Sequence, residues 1–430
     1  MERRDVLLGG SAALLLPLLN GCRHASGAGP AAAAASASND ALRALMEGGV
    51  TAGAWPGAVW AVANGADVQV GTAGALAVGS SAPMQRDTIF RIASMTKAVT
   101  AASVMMLVED GKLTLDEKAE RLLPELANRR VLKTLSSELD DTVPARSAPT
   151  VRQLMDFTFG SGLVFDPSLP FNKAAEAHGL VLGPPVPMTP HAPDEWMRLF
   201  GELPLLFQPG ERWLYNTGSL VLGVLVRRAA GVPFETFVAE RITGPLGMRD
   251  TAFHVPPEKL ERFAGCGFFT EPQSGQKLQM DADGAKSAFA KPPAFASGAG
   301  GLVSTVDDYL AFARMLLKGG EHEGRRLLKE ESVRAITTNG LTDAQRAASA
   351  KSLFPGMFDA HGWGFGVRVQ LSPDAVAPKP GEYGWDGGFG TSWFTDPNGG
   401  RIAIALTQSA DFLFDGSTEK FRAAAYSAAT

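Results

Sequence analysis

Runs of hydrophobic positions predict strands near both ends of the chain. Apolar runs at 58–63 and 68–71, with the turn signal Asn64-Gly65 between them, predict a β-hairpin. Further strand-like runs follow near the C-terminus, at 363–369, 390–395 and 402–407. Together these runs indicate a sheet to which both ends of the chain contribute.

Helical patterns fill most of the remaining sequence. Segment 94–110 is apolar on nearly every side and is followed by Gly111, so it is predicted to be a buried central helix. A helix over 305–317 has Ser304 as its cap, and Ser417 caps a C-terminal helix. Shorter helices are predicted at 40–46, 152–155, 195–200, 220–230 and 234–241.

Strands at both ends around a helical middle predict one mixed α/β domain of the α+β type over residues 40–430. Its expected core is a mostly antiparallel sheet flanked by helices, and a helical insertion occupies roughly residues 118–290.

The first residues carry the signals of an exported protein. An apolar run at 6–19 is too short to span a membrane and predicts a signal peptide over residues 1–21. The Arg3-Arg4 pair before it resembles a twin-arginine export signal. The run ends in Leu19-Asn20-Gly21-Cys22, which resembles a bacterial lipobox; an ordinary signal peptide with an incidental cysteine is the alternative.

Lipidation of Cys22 predicts a protein that is anchored to a membrane in the periplasm, and to the outer membrane if the organism is Gram-negative. Residues 22–39 are rich in Ala, Ser and Gly and are predicted to form a flexible tether. Once Cys22 is lipidated, Cys266 is left alone, so no intrachain disulfide is expected.

Composition argues against several classes of partner. The net charge of -5 gives no indication of a nucleic-acid-binding surface. The six histidines include no pair at metal-ligand spacing, and no CxxC or HExxH motif occurs. We therefore expect no metal, no other cofactor and no nucleic-acid partner.

One pair of residues carries candidate chemistry. Ser94 and Lys97 are three positions apart, so on a helix they share a face, and a lysine in an apolar helix is disfavoured as a cation. Lys97 can therefore accept the proton of the Ser94 hydroxyl. The same spacing recurs at Ser274 and at Ser417, but those copies lie in a polar loop and at an exposed helix start.

The sequence around this pair resembles the nucleophile segment of class C β-lactamases and family VIII carboxylesterases. The matching residues are FRIASMTK (90–97) and LVEDGKL (107–113). Further segments match in the same order: VRQL (151–154), SGL (161–163), PGERWLY (209–215), GPLGM (244–248) and GGLVST (300–305). The resemblance covers roughly residues 40–425 and implies a β-lactamase/transpeptidase-like fold.

The resemblance also implies roles for other residues. Tyr215 matches the catalytic tyrosine, which would act with Lys97 as general base, and a lysine cation nearby would lower its pKa. The N–H of Gly388 would join that of Ser94 in an oxyanion hole. Trp385-Asp386-Gly387 stands where β-lactamases have Lys-Thr-Gly.

Two positions depart from the β-lactamase pattern. Trp385 replaces the lysine that recognises a substrate carboxylate, and it can line an apolar acyl pocket instead. Thr217 stands where β-lactamases usually carry the substrate-binding asparagine. Trp385, Gly387 and Thr217 are thus the expected substrate contacts, and they favour neutral esters over penicillins.

These residues predict a serine carboxylesterase that cleaves small esters through an acyl-enzyme on Ser94. The absence of a G-x-S-x-G motif argues against an α/β-hydrolase. The first alternative is a β-lactamase or D-amino-acid peptidase, which needs a cation such as Arg91 or a loop arginine for the substrate carboxylate. The second is a cell-envelope binding protein with a dead site.

Overall fold

A computed structural model describes residues 30–183, 187–271, 274–350 and 353–428. Within these residues the main sheet has seven strands, all antiparallel, in the order β3-β4-β5-β6-β7-β1-β2. The strands are β1 (Gly57–Asn64), β2 (Asp67–Gly74), β3 (His361–Trp363), β4 (Arg368–Gln370), β5 (Tyr383–Gly387), β6 (Thr391–Asp396) and β7 (Arg401–Thr407). The predicted antiparallel sheet flanked by helices is confirmed.

Strand β1 explains why a central strand of the sheet is a continuous run of apolar residues in the sequence. Trp60 and Val62 belong to the core on one face, whereas Val59 and Ala61 belong to the core on the other. Because side chains alternate along a strand, a strand that is covered on both faces needs apolar residues at every position. Pairing of β1 with β7 brings the N-terminal and C-terminal parts of the chain together.

Helices cover both faces of the sheet and form the part of the molecule beyond it. Their bounds are α1 (Pro30–Thr51), α2 (Thr96–Glu109), α3 (Val151–Met155), α4 (Pro170–Ala177), α5 (Pro193–Glu202), α6 (Thr217–Ala230), α7 (Phe234–Val238), α8 (Val306–Leu317), α9 (Glu330–Thr337), α10 (Asp343–Ala348), α11 (Met357–Ala360) and α12 (Ser417–Ser427). Helices α1 and α12 pack on one face, and α8 packs on the other.

Short two-stranded ladders connect the helical regions. They pair Phe90–Arg91 with Val303–Ser304, Arg130–Leu132 with Thr142–Pro144, Phe268–Thr270 with Lys277–Gln279, and Glu321–His322 with Arg325–Arg326. The first of these ladders fixes the chain just before the central helix α2, which is buried along nearly its whole length.

Several predicted boundaries were wrong. Helix α1 begins at Pro30 and not at Asp40, because alanine is the strongest helix former and continues the helix into the expected tether. The predicted strand at 363–369 is two strands, β3 and β4, because the chain reverses at a turn in which Gly366 has a φ of 74°. The cap of α8 is Thr305, one residue later than predicted.

The predicted signal peptide, Cys22 and the first part of the tether lie outside the described residues. Among the residues that are described, no helix is both long enough and apolar enough to span a bilayer.

Candidate active site

Ser94 sits in a single 3-10 turn, Ala93–Met95, directly before α2. Ala93 has a φ of 42°, a conformation that costs a non-glycine residue energy and that is concentrated at functional sites. The predicted helix therefore starts two residues later than Ser94, at Thr96. The turn presents the Ser94 hydroxyl at the N-terminal end of α2, where the helix dipole favours negative charge.

Lys97 is 1% exposed and its amine has three neighbours. Its Nζ lies 2.6 Å from the Ala299 carbonyl oxygen, 2.7 Å from Asn216 Oδ1 and 2.9 Å from Ser94 Oγ. Burial lowers the pKa of Lys97 well below its usual value, which favours the neutral amine. The two carbonyl oxygens can only accept, so they take the two N–H groups of that amine. Its lone pair is left for the hydroxyl proton of Ser94.

Tyr215 is the second group that contacts the nucleophile. Its hydroxyl is hydrogen-bonded with Ser94, and the indole Nε1 of Trp385 donates to the same phenolic oxygen at 2.7 Å. Lys97 Nζ lies 4.5 Å from the centre of the tyrosine ring. Burial raises the pKa of Tyr215, so the phenol keeps its proton. The expectation that a lysine cation lowers this pKa is therefore wrong, since burial disfavours both the cation of Lys97 and the anion of Tyr215.

Asn216 forms a strained turn beside Lys97. Its φ of 79° and ψ of -58°, with a hydrogen bond of 3.1 Å from the Thr217 N–H to the Tyr215 carbonyl, define a γ-turn of the rare type. Its side-chain Nδ2 donates to the Leu182 carbonyl at 2.6 Å, while its Oδ1 accepts from Lys97. Such a turn persists only where its surroundings hold it, and here it fixes the lysine amine.

Gly388 follows β5 and lines the same cavity as Ser94. The residue before it, Gly387, packs against the nucleophile segment: a Cβ at Gly387 would come within 2.3 Å of the Ile92 carbonyl oxygen. Glycine is therefore required there for the close approach of β5 to the Ser94 turn. Gly387 has this packing role and is not part of the cavity lining, contrary to the expected substrate contact.

The cavity in front of Ser94 has a volume of about 650 Å³. Most of its wall is apolar or aromatic, with Leu163, Leu220, Leu353, Phe354, Met357 and Trp385 among the lining residues. Phe165 and Phe414, which are 65% and 69% exposed, extend this apolar surface outward. The cavity is therefore suited to uncharged, largely apolar groups.

Aromatic packing holds Tyr215 and Trp385 in place. The ring centres of Trp385 and Trp363 are 4.7 Å apart, and those of Trp385 and Tyr215 are 5.6 Å apart. Phe157 and Trp213 complete the cluster behind them. Rings that interlock in this way have few alternative rotamers, so the hydroxyl of Tyr215 is fixed relative to Ser94.

The structure brings together Ser94, Lys97, Tyr215, Trp385 and Gly388, as the sequence predicted. It does not bring Thr217 to the cavity: this residue is fully buried in the first turn of α6 and is not part of the cavity lining. Asn216, which lines the cavity instead, was not among the predicted site residues. The one sequence feature that could have indicated a role for Asn216 is its position directly after the predicted tyrosine, Tyr215.

Arg91, a candidate cation for a substrate carboxylate, is 3% exposed and bound elsewhere. Its guanidinium pairs with Asp281 at 2.8 Å and donates to Ser287 and to two backbone carbonyls. Nearby, burial raises the pKa of the Cys266 thiol to about 11, which disfavours the thiolate form. The described residues contain no cluster of three side chains that could hold a metal ion.

Comparison with known proteins identifies the family. A family model described as Beta-lactamase matches residues 42–427. The chain belongs to the β-lactamase family. It is 38% identical to Protein Rv1367c of Mycobacterium tuberculosis over 348 residues. This aligned region is 79% of this chain and 82% of that relative.

Two further comparisons concern proteins with a named activity, the first by sequence and the second by fold. Esterase EstB of Burkholderia gladioli is 32% identical over 352 residues, which are 76% of this chain and 79% of EstB. The solved structure of EstCE1, described as a hydrolase with promiscuous acyltransferase activity, has a TM-score of 0.74 at 23% identity and covers 92% of this chain and 100% of its own. The family and fold that the sequence resemblance implied are confirmed.

Proposed function

We propose that this protein is a serine hydrolase that cleaves small carboxylic esters through an acyl-enzyme on Ser94. The observation that carries the proposal is the set of neighbours around Lys97, which leaves the lone pair of a neutral amine for the serine hydroxyl. A serine with such a base at 2.9 Å is an activated nucleophile. The activity named for EstB supports the same reaction.

In the proposed mechanism each residue has a defined role. Ser94 Oγ attacks the ester carbonyl carbon while its proton passes to Lys97, and the N–H groups of Ser94 and Gly388 bind the resulting oxyanion. Tyr215 gives its phenolic proton to the departing alkoxide and takes a replacement from Lys97. Water then attacks the acyl-enzyme carbonyl carbon and gives a proton to Lys97. Lys97 returns that proton to Ser94 Oγ as the bond between Ser94 and the acyl group breaks, and the carboxylic acid is released.

The lactam alternative lacks its cation at the expected place. Trp385 provides no positive charge and Arg91 is tied to Asp281. The guanidinium of Arg368 does line the cavity, but the carboxylates of Asp386 and Glu419 line it too. An anionic penicillin would bring a further carboxylate next to these two, which is unfavourable in a partly desolvated site. The dead-site alternative fails to explain why Ser94, Lys97 and Tyr215 keep hydrogen-bonding contact.

Steady-state kinetics tests this function. We expect a much higher kcat/KM for p-nitrophenyl acetate and butyrate than for penicillin G and cephalothin. Ser94→Ala should abolish ester hydrolysis, whereas Ser274→Ala, a matched change in another S-x-x-K copy, should retain it. A clear preference for the lactams would favour the alternative function.

We also propose that the protein is exported and anchored to a membrane through a lipid on Cys22. The support is the lipobox-like segment after an apolar run of signal-peptide length. Wild-type protein should fractionate with membranes, and Cys22→Ala should be released in soluble form. A native protein found wholly in the cytoplasm with Met1 intact would contradict the proposal.

A further inference from the structure

The active-site cavity has a polar region in a wall that is otherwise largely apolar. Four ionisable residues line it there and interact electrostatically with one another: His361, Arg368, Asp386 and Glu419. Burial lowers the pKa of His361 to about 4, so this side chain is neutral at pH 7. The mechanism of ester cleavage uses none of the four.

Arg368 is half-buried and lines the cavity without a hydrogen bond or an ion pair to any described residue. Its cross-strand neighbour on β5 is Gly384, which has no side chain that could reach it. A guanidinium carries five N–H donors, and those of Arg368 have no acceptor among the described residues, so they are available to a molecule in the cavity. A bound molecule can supply the missing acceptor.

Asp386 is the acceptor in the same region. Its Oδ1 accepts a hydrogen bond from Ser392 at 2.6 Å, and its other carboxylate oxygen has no hydrogen-bond partner among the described residues. No ion pair joins it to Arg368 within that part of the chain, although the two charges attract each other through space. The guanidinium donors of Arg368 and the free carboxylate oxygen of Asp386 therefore both line the cavity, and they are not hydrogen-bonded to each other.

The position of Tyr215 shows which part of an ester meets this region. Asp386 follows Trp385, whose indole is hydrogen-bonded to the Tyr215 hydroxyl, and the charge of Asp386 acts on that hydroxyl. In the proposed mechanism Tyr215 gives its proton to the departing alkoxide. The polar region therefore lies on the alcohol side of the scissile bond.

We propose that Arg368 and Asp386 bind a hydroxyl group on the alcohol part of the ester, so that monoesters of diols and of glycerol are preferred substrates; this rests on the proposed esterase function. A hydroxyl accepts from the guanidinium and donates to the carboxylate at once. A carboxylate on the substrate is repelled by Asp386 and Glu419, and an ammonium group has no lone pair with which to accept a hydrogen bond from Arg368.

Matched esters test the proposal in the intact protein. Propyl butyrate differs from 2-hydroxyethyl butyrate only in a methyl group in place of the hydroxyl, and butyrate release from both is followed by pH-stat. Wild-type kcat/KM should be about tenfold higher for the hydroxy ester, as expected for a substrate hydroxyl with satisfied partners. Arg368→Met should bring the ratio close to one, Arg368→Lys should restore part of it, and Asp386→Asn should lower it.

Arg325→Met serves as the matched control, because Arg325 is exposed and does not line the cavity. It should keep the wild-type ratio. A wild-type ratio near one, an unchanged ratio in Arg368→Met, or faster turnover of 2-carboxyethyl or 2-(dimethylamino)ethyl butyrate than of the hydroxy ester would each overturn the proposal. If the wild type hydrolyses neither neutral ester, the esterase function itself fails, and the subsite fails with it.

Discussion

The indole nitrogen of Trp385 donates a hydrogen bond to the phenolic oxygen of Tyr215 at 2.7 Å. This contact joins β5 to the tyrosine beside Ser94, and it turns the phenolic proton away from Trp385 and toward Ser94. The tryptophan that stands in place of a β-lactamase lysine thus orients the tyrosine as well as forming part of the cavity wall.

Trp385→Phe removes the indole donor and keeps an aromatic ring. We expect kcat for p-nitrophenyl butyrate to fall about 10- to 100-fold with a smaller change in KM, because the lost bond orients Tyr215 while the phenyl ring keeps most of the apolar cavity wall. The control is Trp55→Phe, which removes a buried indole donor bound to the Met46 carbonyl on the other face of the sheet. An unchanged kcat in Trp385→Phe would show that the hydrogen bond does not serve catalysis.

Asn216→Gly and Asn216→Ala separate the two roles of this residue. Both remove the amide that fixes Lys97, so both should lower kcat/KM at least about tenfold. Glycine adopts a positive φ freely, so Asn216→Gly should exceed Asn216→Ala in free energy of unfolding by about 1 kcal/mol. Ester kinetics and urea denaturation measure the two effects. Full activity in Asn216→Gly would mean that Asn216 serves the turn alone.

The pH profile reports the charge state of Lys97. Its pKa in the folded protein is lowered by burial, and only the neutral amine accepts a proton, so kcat/KM should fall as the pH drops through that value. The raised pKa of Tyr215 predicts no loss of activity from phenol ionisation up to about pH 10, the ordinary tyrosine pKa. A bell-shaped profile with an alkaline limb near pH 8 would contradict this assignment.

The same shift links stability to pH. Between the lowered folded pKa of Lys97 and the ordinary lysine value, the unfolded chain binds the additional proton, so the free energy of unfolding contributed by this group should rise with pH. Lys97→Met should remove that slope. Denaturant titrations at several pH values measure it, and identical slopes in the two proteins would show that Lys97 is not neutral in the fold.

Features that depend on local pattern were predictable from the sequence. The β1–β2 hairpin, the buried α2 and the pairing of Ser94 with Lys97 follow from spacing along short segments. Asn216 could not be assigned a role, since that role depends on a strained turn that hydrophobic periodicity does not reveal. The reversal at Gly366 was missed because apolar residues flank it on both sides.

The partner of Arg91 was equally hidden, because Asp281 is 190 positions away in the chain. This buried ion pair gives a stability prediction. Asp281→Asn should lower the free energy of unfolding by about 3–5 kcal/mol, since it leaves a buried guanidinium without its counter-charge. Asp307→Asn breaks the exposed pair with Arg86 and should cost at most about 1 kcal/mol. Equal losses in the two variants would contradict the structural role of Arg91.

The residue that an ester acylates identifies the nucleophile of this protein. The protein is mixed with p-nitrophenyl butyrate, quenched in acid during turnover and digested, and its peptides are analysed by mass spectrometry. We expect a butyryl group on Ser94 in the wild type and no labelled peptide in Ser94→Ala, which should also have lost ester turnover. A butyryl group on another residue, or turnover by Ser94→Ala near the wild-type rate, would contradict the proposed nucleophile.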